Sequence, residues 1–312
     1  MHYNKPATSI DDQAALLLQR GLICADVEHL KSCLRAIGYY RLGAYWLPFE
    51  QAALPGQTRN KNFAASVSID DIMSIYIFDR HLRAILMEAI ERIEIAIRSR
   101  WTNRLTLAHG THAHLDPELF ADPWAHAASV AKLARDVGQS HEVFIKHYRT
   151  KYTSPFMPPL WAVTETMTLG DLSKWYAATR DLRVKDGVAK DLGLPSREVL
   201  ESALQVFALV RNICAHHGRL WNRRLVKRLP AVRRWVADIV LDPPRAGAGG
   251  QNQPQNLIYN VLVALLHLLH HQNMDSSFPA RLCALVQGVT DWQRTAMGFP
   301  VDWRTRPAWN LP

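Results

Sequence analysis

The segment Arg211-Asn212-Ile213-Cys214-Ala215-His216-His217 places a fixed cation, a polar amide and an imidazole within the last two turns of one helical stretch. Imidazole is the side chain best matched to proton transfer near neutral pH, and arginine is permanently charged and able to hold two oxygens at once. Those parts suit phosphodiester cleavage in RNA. There the 2′-hydroxyl loses a proton to attack the adjacent phosphorus, the 5′-oxygen gains one to leave, and extra negative charge on the phosphoryl oxygens needs stabilising. On an ideal helix Asn212 and His216 share a face one turn apart, whereas Arg211 lies about 140° from His216, five steps of ~100°. The long arginine stem, or fraying ahead of Gly218, would close that gap. His217 falls on the apolar face and reads as a packed histidine.

Spacing alone carries little. An arginine followed five positions later by a histidine arises roughly once by chance in a chain of this composition. Here it occurs at Arg104/His109 and at Arg211/His216. The first is set aside, because His109 runs into Gly110-Thr111 and Leu105 stands where the second has Asn212. A competing reading of Arg211 and His216 is a polar helix end, with the histidine favoured by the C-terminal dipole and the arginine paired to a carboxylate. The stretch of chain beyond Gly218 favours the chemical reading. Arg219, Arg223, Arg224, Lys227, Arg228, Arg233 and Arg234 lie in sixteen residues without an acid, interleaved with Trp221. Such a stripe could hold a phosphate backbone, with an aromatic ring available for base stacking; a solvated basic helix face is the alternative.

Other clusters offer less. His267, His270 and His271 stand at i, i+3 and i+4, but no cysteine or carboxylate accompanies them at metal-site spacing, so packed or surface positions are expected. His112 and His114 fall in a loop, and Asp116, Glu118 and Asp122 form no paired-carboxylate pattern. Acyl-transfer, phosphate-loop and dinucleotide signatures are missing.

The elements that position these residues are helical. From Asp70 to about Leu105, apolar residues recur at three- and four-residue steps (Phe78, Leu82, Leu86, Ile90, Ile93, Ile97, Trp101), and Glu94 and Arg98 are spaced for an intrahelical ion pair. The opposite face carries Arg80, Arg83 and Glu91. A second helix opens at Ser196, has Glu198 in its first turn, and is expected to stop at Gly218 in the left-handed conformation. N-terminal helices open at Ser9 and Asp26, ahead of an aromatic cluster from Tyr39 to Trp46. Residues 51–69 read as a polar connection, and Pro243 to Pro254 as a linker preceding an apolar helix from about Leu257 to His271.

The expected fold class is therefore all-α. The 312 residues, 48% hydrophobic and 21% charged, have a globular composition and suffice for a substantial core. Four scattered cysteines form no C-x-x-C pair, which argues against a zinc ribbon or disulfide framework and for a reducing, cytoplasmic compartment. The opening Met1-His2-Tyr3-Asn4-Lys5-Pro6 lacks the order of a secretory signal, and the stretch Leu257 to Leu269, interrupted by Asn260 and His267, falls short of a membrane span. The net charge of +9 keeps an anionic partner open.

Several blocks carry a resemblance. Lys5-Pro6 with Ser9-Ile10 and Gln13, Gly21-Leu22, Tyr39-Tyr40-Arg41-Leu42 with Tyr45-Trp46-Leu47-Pro48-Phe49, and Phe78-Asp79-Arg80 with Leu82-Arg83 are followed by Glu91 through Ile93-Glu94 to Arg98. Pro159-Leu160-Trp161 with Glu165 and Gly170, then Arg211 to His217 with Trp221-Asn222-Arg223, complete the order up to about residue 224. In these blocks the chain resembles the AbiD/AbiF-like abortive-infection proteins of the HEPN superfamily. The resemblance implies a HEPN-like helical bundle with additional N-terminal and C-terminal helices, divided as an N-terminal segment 1–55, a core 66–235 bearing the motif, and a C-terminal linker and helices 236–312. It implies a bacterial antiphage, toxin-like role and a metal-independent RNA endonuclease without cofactor. Arg211, Asn212 and His216 would stabilise phosphoryl charge, orient and transfer protons respectively, with Glu94 and Arg98 lining the same cleft. Arg219, Trp221, Arg223, Arg224, Lys227 and Arg228 would contact RNA. One motif per chain implies a homodimer that contributes His216 from each subunit, and a product with a 2′,3′-cyclic phosphate. The alternatives are a non-catalytic module that binds a structured noncoding RNA, and a helical interaction protein that leaves the stripe unused.

Overall fold

A computed structural model describes residues 2, 6–52, 59–243, 252–272 and 277–310. Lys5 of the first block, residues 53–58 of the polar connection and residues 244–251 of the expected linker lie outside the described residues. Among the described residues the fold is all-α, with thirteen α-helices, several single 3-10 turns, and one antiparallel pair of two-residue strands. The chain divides into two compact units, Met1–Leu82 and Arg83–Pro312, and the division falls inside a helix.

The first unit contains α1 (Ile10–Gln19), α2 (Val27–Ile37), α3 (Tyr39–Trp46) and the opening of α4 (Ile69–His109). Ser9 and Asp12 cap α1 reciprocally: the Ser9 hydroxyl accepts the Asp12 N–H, and the Asp12 carboxylate accepts the Ser9 N–H. Asp26 caps α2. Between α2 and α3 stands Gly38 at φ +90°, a conformation that strains any residue with a side chain, so α3 starts without a linker. The aromatic cluster is thus a helix, with Tyr45 and Trp46 buried and the Tyr45 hydroxyl donating to the fully buried Asp79 at 2.7 Å.

Helix α4 has 41 residues, about 60 Å at 1.5 Å per residue. In the second unit its face of Leu86, Ala89, Ile90, Ile93, Ala96, Ile97, Trp101 and Leu105 is buried, as the periodicity predicts. Arg83, expected on the polar face, is buried as well. The rest of this unit consists of α5 (Pro123–Gln139), α6 (Val143–Lys151), α7 (Leu160–Val163), α8 (Leu169–Ala178), α9 (Leu182–Asp191), α10 (Arg197–Ala215), β1 (Leu241–Asp242), β2 (Gln253–Pro254), α11 (Ile258–His271), α12 (Phe278–Gln287) and α13 (Asp291–Ala296).

Helix α10 packs on α8 and α9, and Leu200, Ala203, Leu204, Phe207 and Val210 are among its buried side chains. Each such side chain withdrawn from water contributes roughly 1.5–3 kcal/mol for the larger ones, so its axis is fixed from the core side. Helix α11 is buried nearly all round, and the two polar residues that interrupt its sequence are both satisfied. Asn260 exchanges hydrogen bonds with both backbone groups of Val240, and His267 pairs with the buried Asp238 at 2.8 Å. No described helix is long and apolar enough to cross a membrane.

Candidate functional site

Helix α10 ends at Ala215, with His216 as its cap and the His216 N–H bonded to the Asn212 carbonyl at 3.0 Å. The left-handed residue is His217, at φ +56°, and not Gly218 as expected. The Gly218 N–H reaches back to the Ile213 carbonyl at 2.8 Å and closes a Schellman-type end. A Cβ at Gly218 would stand 3.3 Å from the Ile213 carbonyl and side chain, a tight contact at the helix end. The turn at His217 also overturns its expected packing: once the chain leaves the helix, His217 no longer follows the apolar stripe and is exposed. Asn212 and His216 are exposed too, and Arg211 is half-buried beside them. Arg211 Nη1 lies 3.5 Å from Asn212 Oδ1, the outer limit of a hydrogen bond. Arg211 makes no ion pair with a described residue; the carboxylate on which its charge acts is Glu94.

The second charged block lies in the same unit. Arg98 donates to Glu94 at 2.8 Å, the spaced ion pair expected from sequence, and also to Glu165 at 3.1 Å and the Met167 carbonyl at 3.1 Å. Burial pushes the Glu94 carboxyl above the usual carboxylate range, and the positive charges of Arg98 and then Arg211 act against that rise. Glu94 is therefore under the influence of both arginines, which connects the two blocks electrostatically. Glu165 had no expected place in the site. Sixty-seven residues separate it from Arg98, so spacing gives no signal of the contact.

The basic stripe is irregular chain, not a helix face, up to a 3-10 turn at Arg233–Trp235. Leu220, Trp221, Leu225, Leu229 and Val232 are buried, while Val226 and the cations Arg223, Arg224, Lys227, Arg233 and Arg234 are exposed. Trp221 corrects an expectation: it is fully buried, its indole N–H donates to the Gln293 carbonyl at 3.2 Å, and its ring lies 5.5 Å from that of Trp292. It anchors the segment and offers no face to a base. Arg228 is half-buried and joins the segment to both strands through Asp242 at 2.8 Å and the Pro254 carbonyl at 2.7 Å. Arg219 is half-buried. Arg224 and Lys227 bond only to neutral groups, the Asn256 and Gln205 side-chain oxygens, so their charges stay uncompensated by described carboxylates.

The other candidates are occupied structurally. Arg104 holds Asp191 with two hydrogen bonds of 2.7 and 2.8 Å, and His109 pairs with Asp181 at 2.9 Å. His267 stacks on Trp235 with ring centroids 5.4 Å apart, whereas His270 and His271 are exposed. His112 bonds the Met157 carbonyl, and His114 is fully buried, which pushes its pKa down to about 4. Among the described residues no group of three or more His, Cys, Asp or Glu side chains converges as a metal site.

Helix α4 and the α7 region also form an open groove of about 600 Å³, lined by Ile95, Arg98, Ser99, Asn103, Trp161 and Glu165 among others. No curated protein and no solved structure matches the chain. The family described as Abi-like protein matches residues 32–222, a span that takes in the α10 end, Arg98 and Glu165 and covers more than half of the chain. The chain belongs to this Abi-like family, which suggests a role in abortive infection.

Proposed function

We propose that this chain is a metal-independent RNA endonuclease of the HEPN type, acting in antiphage abortive infection as a homodimer. The observation that supports the reading is the end of α10, where Asn212 and His216 are exposed, Arg211 is half-buried, and Arg211 makes no ion pair with a described carboxylate. In a dimer with two such ends facing one phosphodiester, one His216 imidazole takes the 2′-hydroxyl proton as the 2′-oxygen attacks phosphorus. The other, as imidazolium, gives a proton to the departing 5′-oxygen, and the P–O5′ bond breaks. One proton is taken and one given, and the product ends are a 2′,3′-cyclic phosphate and a 5′-hydroxyl. Arg211 stabilises the charge that builds on the phosphoryl oxygens, and Asn212 orients the guanidinium. Exposed Arg223, Arg224 and Lys227 hold the flanking backbone, with Arg219 beside them. Arg228 acts indirectly, by fixing the segment.

Incubation of the purified protein with labelled RNA in EDTA tests the reading. Fragments with cyclic-phosphate ends are expected from the wild type and not from His216→Ala. RNA bound but left intact by the wild type would favour the non-catalytic alternative, and products with other ends would overturn the mechanism.

A further inference from the structure

We infer that the groove between α4 and α7 is a subsite for one unpaired nucleobase of the RNA, with Trp161 as its stacking platform. The inference rests on the RNA reading above and supplies the aromatic surface that the burial of Trp221 removes. Trp161 is half-exposed (51%) on a four-residue helix that is otherwise held firmly: Leu160 and Val163 are fully buried, and the Leu160 N–H bonds the Thr111 carbonyl at 2.9 Å. A large ring kept in water on a fixed support is a preorganised surface for a flat partner. Across the groove, the Ser99 hydroxyl and the Asn103 amide, one turn apart on α4 and exposed, make no hydrogen bond to a described residue. They supply donors and acceptors for a base edge.

Charge selects which part of a nucleotide enters. The Arg98 guanidinium in this groove is neutralised by Glu94 and Glu165, and the Glu165 carboxylate is half-exposed at its edge. Phosphate is repelled there, whereas a neutral ring with N–H donors is accepted. Arg98, which lines the groove, is also paired to Glu94, the carboxylate on which the Arg211 charge acts. The backbone would lie over the cations beyond α10 while one base turns into the groove.

The test uses the full-length His216→Ala protein, fluorescence anisotropy, and two probes: a 12-nucleotide single-stranded RNA of mixed sequence and the same ribose-phosphate strand without bases. Trp161→Ala is expected to weaken binding of the base-bearing strand on the order of tenfold, the size of one stacked base, to leave the abasic strand unaffected, and to keep the same salt slope. Trp161→Phe should recover most of the loss, and Trp124→Ala, an 86% exposed ring on α5, should change nothing. Equal loss on both strands would assign Trp161 a structural role and overturn the subsite. So would no loss, or a loss that accompanies a drop in molecular mass by light scattering, which would make the groove a contact between two copies. Failure of the parent protein to bind either strand would sink the RNA reading itself, whereas binding without any wild-type cleavage would sink only the nuclease reading.

Discussion

The ends of α4 and α10 carry the same arginine-to-histidine spacing and close with a residue at positive φ, Gly110 after His109 and His217 after His216. Their surroundings differ. At the end of α4 both groups meet carboxylates: Arg104 grips Asp191, and His109 pairs with Asp181. The Arg104 hydrogen bond holds the Asp191 carboxyl below the usual range, and the His109 hydrogen bond does the same for Asp181 against the opposing effect of burial. At the end of α10 no described carboxylate pairs with Arg211. A guanidinium already bound to a carboxylate has its fork filled and its charge cancelled, so it has little left for a phosphate. Spacing thus supplies the parts, and the neighbouring acids decide whether they are structural or available.

This contrast can be sharpened first by removing what anchors the segment beyond α10. Trp221→Ala is expected to cost about 3–5 kcal/mol of stability, because it empties a fully buried indole site, and urea unfolding would read the loss. A loss below about 1 kcal/mol would mean that the segment is not held by this residue.

Next in size is the acid sensitivity that His114 contributes in the region after α4. His114 is held neutral with a pKa of about 4 against an ordinary 6.5, so the unfolded chain takes up a proton that the folded chain refuses. Its contribution to stability is complete above about pH 6.5 and declines as pH falls toward 4, by about 2 kcal/mol at pH 5. Comparing urea midpoints at pH 7.5 and pH 5 for wild type and His114→Phe checks the sign: the variant should show the smaller drop.

A smaller effect is expected at the α4 pair itself. Arg104→Ala should lower stability by about 1 kcal/mol, given that both partners are roughly a third exposed, and leave RNA cleavage per folded molecule unchanged. The smallest concerns the cations. Arg224→Ala should weaken RNA binding several-fold and reduce the salt slope by about one phosphate contact, while Arg228→Ala, whose charge is matched by Asp242, should act on stability instead.

Much of this architecture is legible in the sequence because local physics dictates it. The apolar periodicity from Asp70 to Leu105 marks α4, and Ser9, Asp26 and Ser196 are the caps of α1, α2 and α10. Glu94 and Arg98 meet because one turn of helix brings them together. What escapes depends on single residues or long-range contacts. One left-handed residue turns His217 off the apolar stripe, and Trp221, set among cations in an aperiodic segment, carries no sign of the core that receives it. The contact between Arg98 and Glu165 follows from how α4 packs, which spacing does not encode.

Cleavage rates of one RNA by four single variants, each confirmed folded by its melting temperature, test the central claim most directly. Arg211→Ala and His216→Ala are expected to lose about 100-fold or more, as removal of a charge stabiliser or a proton-transfer group does. Arg104→Ala and His109→Ala are expected to stay within about threefold of wild type. Equal losses in both pairs, or a larger loss at Arg104 and His109, would contradict the assignment of chemistry to the end of α10.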